Sequence, residues 1–303
     1  MQVNWKGIYP AITTKFHQDG TIDFEAFNNN IEKQVEAGIH GVVIGGSLGE
    51  ASTLGKKEKL LLLESTLQTV DGKIPVIVNI AESSTQEAIQ TAQEAEKNDA
   101  DGLMMLPPMM YKADNQETVR FFKSVASATN LPIMLYNNPV DYGIKITLDM
   151  LGDLAEHDNI QAVKESTRDL TNITRMINRF GDRYSILCGV DTLALEALVM
   201  GADGWVAGLV CAFPRETVAI YELVQDGRLE EARNIFRWFL PLLELDIDPK
   251  LVQNIKLAEV ATGLGTEYVR PPRLPLTGKE REKVQTIIDE ALANRPDLAA
   301  YSI

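Results

Sequence analysis

The sequence predicts a (β/α)8 barrel, or TIM barrel, followed by a C-terminal helical appendage. Before residue 214, eight short apolar runs alternate with segments of helical periodicity. The runs are almost continuously hydrophobic, which is typical of parallel strands buried on both faces. After residue 214 the remaining segments all have helical character. The 303 residues suffice for one barrel with a modest appendage.

The predicted strands have a consistent form, in which an apolar run ends at a polar turn. They are the runs 7–14, 40–46, 74–80, 102–106, 132–136, 160–164, 184–189 and 204–210. A doubly wound open sheet is the alternative for such an alternation, and it usually carries a glycine-rich phosphate turn after its first strand. Here the first run leads into TTKFHQDG. The missing glycine-rich turn favours the barrel.

The segments between the runs carry helix start signals. Asp23 is placed to cap the first helix, whose apolar residues recur on one face. The pairs Ser84/Glu87 and Asp114/Glu117 have capping-box spacing. These signals place helices on the strand-to-strand crossovers, as a barrel requires.

The C-terminal part is predicted to be helical throughout. We assign residues 1–226 to the barrel and its site, with the last barrel helix near 215–226, and residues 227–303 to the helical region. Pro241 is expected to kink or interrupt its helix, because proline lacks the backbone N–H and clashes with the preceding turn.

Composition excludes several classes of protein. Hydrophobic residues make up 45% and charged residues 24%, as in ordinary globular proteins, and the formal net charge is −14. Such an acidic chain is poorly suited to nucleic acid, which needs clustered Lys and Arg. The apolar runs are too short to span a membrane, and the N-terminus lacks a basic-then-apolar signal. We therefore expect a cytoplasmic protein, with Cys188 and Cys211 as buried free thiols.

Two strand ends carry side chains that suit imine chemistry. The fifth run ends at Tyr136 and the sixth at Lys164. Because neighbouring parallel strands open at the same C-terminal mouth of a barrel, we expect the two side chains to meet there. Burial lowers the pKa of a lysine, and its neutral amine can form an imine with a ketone while a phenol moves protons. The alternatives are a lysine paired with Glu165 and a tyrosine placed by strand preference alone.

A glycine-rich turn after the second strand completes this candidate site. The segment GGSLGEAST, residues 45–53, precedes a helix, and its backbone N–H groups could converge on a carboxylate. Ser47 would add a hydroxyl able to relay a proton to Tyr136. Such turns are common, so a purely structural role is the alternative for the turn by itself. Together with Lys164 it predicts a site for a 2-oxo acid or its imine.

Other polar residues are assigned structural roles. Asp191 is better placed to cap the following helix than to line the site. Glu50 is expected to support the carboxylate-binding turn or its helix. The three histidines, His17, His40 and His157, are far apart and lack ligand spacing, so no metal site is predicted.

These motifs together resemble a known enzyme family. GSLGEASTL after the second strand, YNNP at the fifth and VKES at the sixth are similar to the dihydrodipicolinate synthase / N-acetylneuraminate lyase family, and the likeness covers essentially the whole chain. It implies a barrel with C-terminal helices, a homotetramer, and class I Schiff-base chemistry on a small 2-oxo acid or cyclic imine without metal or cofactor. By matching positions, Lys164 forms the Schiff base, Tyr136 is the catalytic tyrosine and Ser47 is the first hydroxyl of the carboxylate turn. The residues expected to bind substrate are Gly46, Ser47, Leu48, Asn138 and Asp141.

Three departures from the synthase pattern bear on the substrate. Leu48 stands where the synthase usually has a second threonine, so its side chain cannot relay a proton. Asp141 stands where the synthase carries an arginine for the carboxylate of its second substrate, which an acid would repel. Met109 and Met110 occupy the place of a tyrosine donated across a subunit interface, with Tyr111 shifted along the chain. Lysine biosynthesis is therefore not the preferred interpretation.

Softer motifs resemble one subgroup of the family. YNNP, LPLLELDIDPKLVQNIKLAE and RPPRLPLTGKEREKV look most like Δ1-pyrroline-4-hydroxy-2-carboxylate deaminases of hydroxyproline degradation. This implies conversion of the cyclic imine to 2,5-dioxopentanoate and ammonia. The alternatives are an aldolase or dehydratase acting on 2-oxo acids, the 4-hydroxy-tetrahydrodipicolinate synthase itself, and a non-catalytic protein that binds a 2-oxo acid.

Overall fold

Eight parallel strands form a single sheet in the computed structural model, which describes residues 2–108 and 110–301. The strands are β1 (Gly7–Pro10), β2 (Val42–Ile44), β3 (Val76–Ile80), β4 (Gly102–Met105), β5 (Ile133–Asn137), β6 (Ile160–Glu165), β7 (Ser185–Cys188) and β8 (Gly204–Ala207). Each overlaps one of the predicted apolar runs. The sheet order is β1-β8-β7-β6-β5-β4-β3-β2.

The sheet closes into a barrel between its first two strands. A parallel bridge joins Ala11, just after β1, to Val43 of β2, and Ile12 N donates to the Val43 carbonyl at 2.9 Å. The closed ring of parallel strands, surrounded by helices, confirms the predicted TIM barrel. The strand residues are buried almost without exception, which explains their continuous hydrophobicity.

Twelve α-helices occur among the described residues. They are α1 (Phe24–Glu36), α2 (Lys56–Val70), α3 (Thr85–Lys97), α4 (Asn115–Ala126), α5 (Pro139–Tyr142), α6 (Leu148–Leu154), α7 (Thr171–Phe180), α8 (Ala194–Val199), α9 (Pro214–Gln225), α10 (Leu229–Leu243), α11 (Leu251–Thr262) and α12 (Gly278–Ala293). Short 3₁₀ turns occupy Ala51–Thr53, Gly181–Arg183, Asp191–Leu193, Leu209–Cys211, Glu244–Ile247 and Leu298–Tyr301.

The predicted caps hold the helix starts. Asp23 accepts from the Ala26 backbone N–H at 2.9 Å, and Ser84 accepts from the N–H of Glu87. Asp114 accepts from Glu117 N at 2.8 Å while the Glu117 carboxylate accepts from Asp114 N at 2.9 Å, a complete capping box.

The C-terminal helices pack onto the barrel. Pro241 was expected to kink or interrupt its helix. It does not interrupt it, since α10 runs through Pro241 to Leu243, and the kink stays a prediction. Pro241 is exposed and lies in the last turn of α10, where solvent can compensate for a missing backbone hydrogen bond. The 3₁₀ turn Glu244–Ile247 follows and reaches the barrel mouth. The division at residue 226 remains a prediction.

The remaining expectations concern thiols and membranes. Cys188 and Cys211 are free and buried, as predicted. Within residues 2–108 and 110–301, no helix combines the length and the apolar character that crossing a bilayer demands.

Candidate active site

Lys164 and Tyr136 are register partners on adjacent strands. The pairing of β5 with β6 places Tyr136 opposite Lys164, near the C-terminal end of both strands. The Lys164 Nζ lies 3.9 Å from the centroid of the Tyr136 ring. Both side chains are buried, at 6% and 8% exposure. The structure thus brings together the two residues that the strand ends singled out.

The environment of Lys164 favours a neutral amine. Burial lowers the pKa of its ammonium group, and the nearby acids Asp246 and Asp191 oppose this shift. Glu165 does not pair with it, because that carboxylate is held by Asn137, Thr167 and Asn172. The structural alternative of a Lys164–Glu165 ion pair is therefore excluded.

Gly189, after β7, leaves the space that Lys164 occupies. A Cβ built on this glycine would lie 2.7 Å from Lys164 Cε and 2.1 Å from Ser166 Oγ. The close approach, and not an unusual backbone angle, requires glycine here. The lysine is consequently held from one side by a backbone and from the other by an aromatic ring.

Tyr136 is kept protonated and is oriented by an amide. Burial raises the pKa of its phenol to about 12. Asn138 Nδ2 donates to the phenol oxygen at 3.1 Å and to Asp141 Oδ2 at 2.7 Å. Asn138 Oδ1 accepts from the Asp141 N–H at 3.2 Å. Asn138 therefore positions its two neighbours, and its capacity for further hydrogen bonds to a substrate is small.

The glycine-rich turn presents free N–H groups and one hydroxyl. Within the described parts of the chain, the N–H groups of Ser47 and Leu48 have no acceptor, as an anion cradle requires. Ser47 Oγ lies 2.5 Å from the hydroxyl of Tyr142. The Tyr142 ring meets Tyr136 edge-on at a centroid distance of 5.5 Å. The hydroxyl of Ser47 thus connects to Tyr142 in the free protein.

A buried ion pair anchors this turn to the C-terminal helices. Glu50 closes the turn with a left-handed backbone, φ 58°. Its Oε1 lies 2.6 Å from Lys256 Nζ of α11, and both side chains are fully buried. Its Oε2 accepts from Arg270 N at 3.1 Å. Glu50 supports the turn, as the sequence suggested.

One cavity of about 380 Å³ contains all of the predicted site residues. Gly46, Ser47, Leu48, Tyr136, Asn138, Asp141 and Lys164 line it. Its volume falls near the lower end of the range for ligand pockets, which suits a small substrate. Met109 lies outside the described residues. Met110 and Tyr111 are exposed, at 74% and 57%, and do not line the cavity.

The cavity also contains charged residues that sequence reasoning missed. Asp246 and Asp248 reach it from the segment after α10, and Arg168 reaches it from the segment after β6. Arg168 adopts the left-handed region, φ 63°, which costs a non-glycine residue on the order of 1 kcal/mol. Strain of this kind is concentrated at functional sites. The one signal for Asp246 was its place in LPLLELDIDPKLVQNIKLAE, a segment that the sequence analysis used only for the subgroup resemblance.

Asp191 is not a helix cap. Its carboxylate accepts from Trp205 Nε1 and from the backbone N–H groups of Gly208 and Leu209, at 2.8–3.2 Å. It therefore ties the segment after β7 to the end of β8, beside the cavity-lining residues Val190 and Gly208. Burial raises the pKa of this carboxyl, and these hydrogen bonds oppose the shift. The cap prediction was wrong because donors from β8 and from the residues just after it engage this carboxylate.

Comparisons with known proteins agree with this geometry. The model of the dihydrodipicolinate synthetase family matches residues 4–291. The chain belongs to that family. A 4-hydroxy-tetrahydrodipicolinate synthase from Exiguobacterium sibiricum is 34% identical over 275 residues, covering 90% of this chain and 92% of that relative. The synthase from Pelobacter propionicus is 32% identical over 280 residues, covering 91% and 95%.

Solved structures of family members superpose closely. The 4-hydroxy-tetrahydrodipicolinate synthase of Methylacidiphilum fumariolicum SolV has a TM-score of 0.91 at 32% identity, covering 97% of each chain. The dihydrodipicolinate synthase of Acinetobacter baumannii, solved with pyruvate, has a TM-score of 0.91 at 26% identity, covering 95% of this chain and 99% of that one. The chain is thus an enzyme of a family of class I Schiff-base lyases.

Proposed function

We propose that this family member is a Δ1-pyrroline-4-hydroxy-2-carboxylate deaminase that works through an imine on Lys164. The observation that carries the proposal is the acidic wall of the cavity. Asp141, Asp246 and Asp248 line it, against Lys164 and the exposed Arg168. The free N–H groups of Ser47 and Leu48 would take the single carboxylate of the substrate.

The acidic wall disfavours substrates with a second carboxylate. A carboxylate 4 Å from Asp141 would be repelled by about 1 kcal/mol in water and about 4 kcal/mol at the dielectric of a protein surface. This argues against aspartate semialdehyde, the partner in the synthase reaction, and against dicarboxylates such as 4-hydroxy-2-oxoglutarate. A ring nitrogen that becomes an ammonium group is attracted by the same wall.

Ring opening would begin at C2 of the pyrroline. The neutral Lys164 amine adds to the C2=N bond, whose π electrons move to the ring nitrogen. A proton passes from the lysine nitrogen to the ring nitrogen through the hydroxyls of Tyr136, Tyr142 and Ser47. An acid of the cavity then gives a second proton to the ring nitrogen as the C2–N bond breaks with its electron pair going to that nitrogen. A Lys164 iminium remains on an open chain that ends in an amine at C5.

Elimination and hydrolysis would complete the reaction. Loss of a proton from C3 gives an enamine, which expels the 4-hydroxyl as water with a proton from Tyr136. Tautomerisation brings the double bond to C5=N, and one water releases ammonia and the aldehyde. A second water frees Lys164. The net change is pyrroline plus one water to 2,5-dioxopentanoate plus ammonia, which balances.

The proposal is tested by ammonia release from the wild-type enzyme with the pyrroline. We expect stoichiometric ammonia and aldehyde, together with a borohydride-trapped adduct on Lys164 identified by mass spectrometry. Trapping with pyruvate is the control, because it shows whether Lys164 can form an imine at all. A pyruvate adduct without ammonia from the pyrroline would contradict the deaminase and leave an aldolase or dehydratase.

The synthase is the second candidate, because the relatives described above bear its name. Its activity would need pyruvate and aspartate semialdehyde to condense at this site. Leu48 and Asp141 stand at two of the positions that the synthase uses, and the third, at Met109, lies outside the described residues. A coupled assay with both substrates compares this candidate directly with the deaminase.

Replacement of Tyr142 by phenylalanine should lower kcat for ammonia release by about 10²-fold with little change in KM. The hydroxyl is the hydrogen-bond partner of Ser47, and general acid–base groups contribute about 10²–10⁴-fold. The Tyr111→Phe variant is the matched comparison, since it removes an exposed phenol. Steady-state kinetics measure kcat and KM for both variants. If kcat falls in Tyr111→Phe and not in Tyr142→Phe, the relay would use a tyrosine donated across a subunit interface, as in the synthase pattern.

A further inference from the structure

Asp246 is the unassigned acid of the cavity. It lies in the 3₁₀ turn Glu244–Ile247, outside the eight βα units, yet it lines the cavity with Lys164 and Tyr136. Within residues 2–108 and 110–301, no hydrogen bond or ion pair engages its carboxylate, although the side chain is half-buried. A carboxyl group that has no protein partner and lines a cavity is available to a ligand in that cavity.

The fold holds Asp246 in a defined place. The neighbouring Leu245 is buried, and its carbonyl accepts from Asn254 Nδ2 of α11 at 3.3 Å. On the barrel side, a Cβ built on Gly208 would lie 2.2 Å from Asp246 Oδ1. The N–H of the same Gly208 donates to Asp191. Two carboxylates therefore flank one glycine at the end of β8, and that glycine permits the close approach.

We propose that Asp246 is the general acid that protonates the nitrogen leaving C2 during ring opening, and that its carboxylate then pairs with the nascent ammonium group. The inference rests on the proposed deaminase function and deepens it. It assigns one carboxyl of the wall a chemical task, while Asp141 and Asp248 remain to disfavour dicarboxylates.

The step balances without another reactant. In the intermediate, C2 carries both the Lys164 nitrogen and the ring nitrogen. The Asp246 carboxyl gives its proton to the ring nitrogen, the C2–N bond breaks with its electron pair going to that nitrogen, and the Lys164 lone pair forms the C2=N bond. The products are the Lys164 iminium, the C5 amine and the Asp246 carboxylate. The amine then takes a proton from bulk solvent and becomes the ammonium group that Asp246 faces.

Other acids in the cavity are less suited to this task. Tyr136 is a weak donor to an amine, because burial raises its pKa to about 12. Asp141 is exposed and accepts from Asn138. Burial, followed by the charge of Asp191, raises the pKa of Asp246 well above the usual range, while Lys164 opposes the shift. A carboxyl whose pKa is raised is better matched to general-acid work at the operating pH than an ordinary aspartic acid is.

The Asp246→Asn variant tests the proposal, with ammonia release from the pyrroline and borohydride trapping of pyruvate as paired readouts. Pyruvate has no ring nitrogen to expel, so its adduct on Lys164 needs no such acid. We expect ammonia release to fall by about 10²-fold while pyruvate trapping stays within about threefold of wild type. Asp246→Glu, which keeps an acid, should recover part of the rate. Glu244→Gln is the matched control, since it removes an exposed charge from the same turn.

Three results would overturn the inference. Wild-type ammonia release in Asp246→Asn would show that this acid is dispensable. An equal loss of pyruvate trapping and ammonia release would show that Asp246 acts only by sustaining Lys164. Absence of ammonia from the wild-type enzyme, with pyruvate still trapped, would reject the deaminase function, and the role of Asp246 would fall with it.

Discussion

Replacement of Lys164 by alanine is expected to abolish borohydride trapping with both pyruvate and the pyrroline, and to lower ammonia release by on the order of 10⁴-fold or more. The reason is that the covalent path has no other amine. Within the described chain Lys164 and Arg168 are the basic residues of the cavity, and a guanidinium does not form imines at neutral pH. Mass spectrometry of the intact protein and an ammonia assay measure the two effects.

Lys145→Ala is the matched control, because it removes an exposed lysine near the same strand end without touching the cavity. It should trap pyruvate as the wild type does. Retained ligand affinity in Lys164→Ala, combined with no adduct in the wild type, would favour the non-catalytic binding protein.

The pH profile of pyruvate trapping gives a second readout of Lys164. Because burial lowers its pKa from the ordinary 10.5, the rate should rise with pH along a limb centred below that value. A limb at or above 10.5 would show that the amine is solvated and charged in the working enzyme.

Replacement of Lys256 by methionine should lower the free energy of unfolding by about 3–5 kcal/mol. Its Nζ is 2.6 Å from Glu50 and donates to the Tyr268 carbonyl at 2.6 Å, so removal leaves a fully buried carboxylate without its main partner. Arg273 remains, 3.8 Å from that carboxylate. Because Glu50 closes the carboxylate-binding turn, the pyruvate concentration that gives half-maximal trapping should also rise.

Urea unfolding at a fixed protein concentration measures this effect, since any assembly of subunits would make stability depend on concentration. The double variant Glu50→Gln with Lys256→Met should recover most of the loss, because neither charge is then left unpaired. Lys250→Ala, which breaks an exposed pair with Glu280 in the same region, should change stability little. A Lys256→Met protein as stable as wild type would show that Glu50 is protonated or hydrated in the fold.

Local patterns were sufficient for the barrel and its helix starts. Continuous apolar runs predict strands that are buried on both faces, and the capping pairs at Ser84 and Asp114 predict helix starts. Both predictions work because strand burial and helix capping depend on residues that are close together in the chain. The expectation that Pro241 could end its helix was wrong, because an exposed proline in the last turn removes few of the helix's hydrogen bonds and solvent can compensate for the loss.

The sequence by itself determined the barrel, the strand ends that present Tyr136 and Lys164, and the turn that contains Ser47, because each depends on periodicity and adjacent strands. Only the tertiary structure decided the rest of the site. Tyr142 reaches Ser47 because the short helix α5 turns the chain back, and Asp246 reaches the cavity because the C-terminal segment packs over β8. Asp191 binds the backbone after β8, a contact between residues that are distant in the chain. Contacts between residues far apart in the chain have no local signature, so long-range packing alone could place these groups.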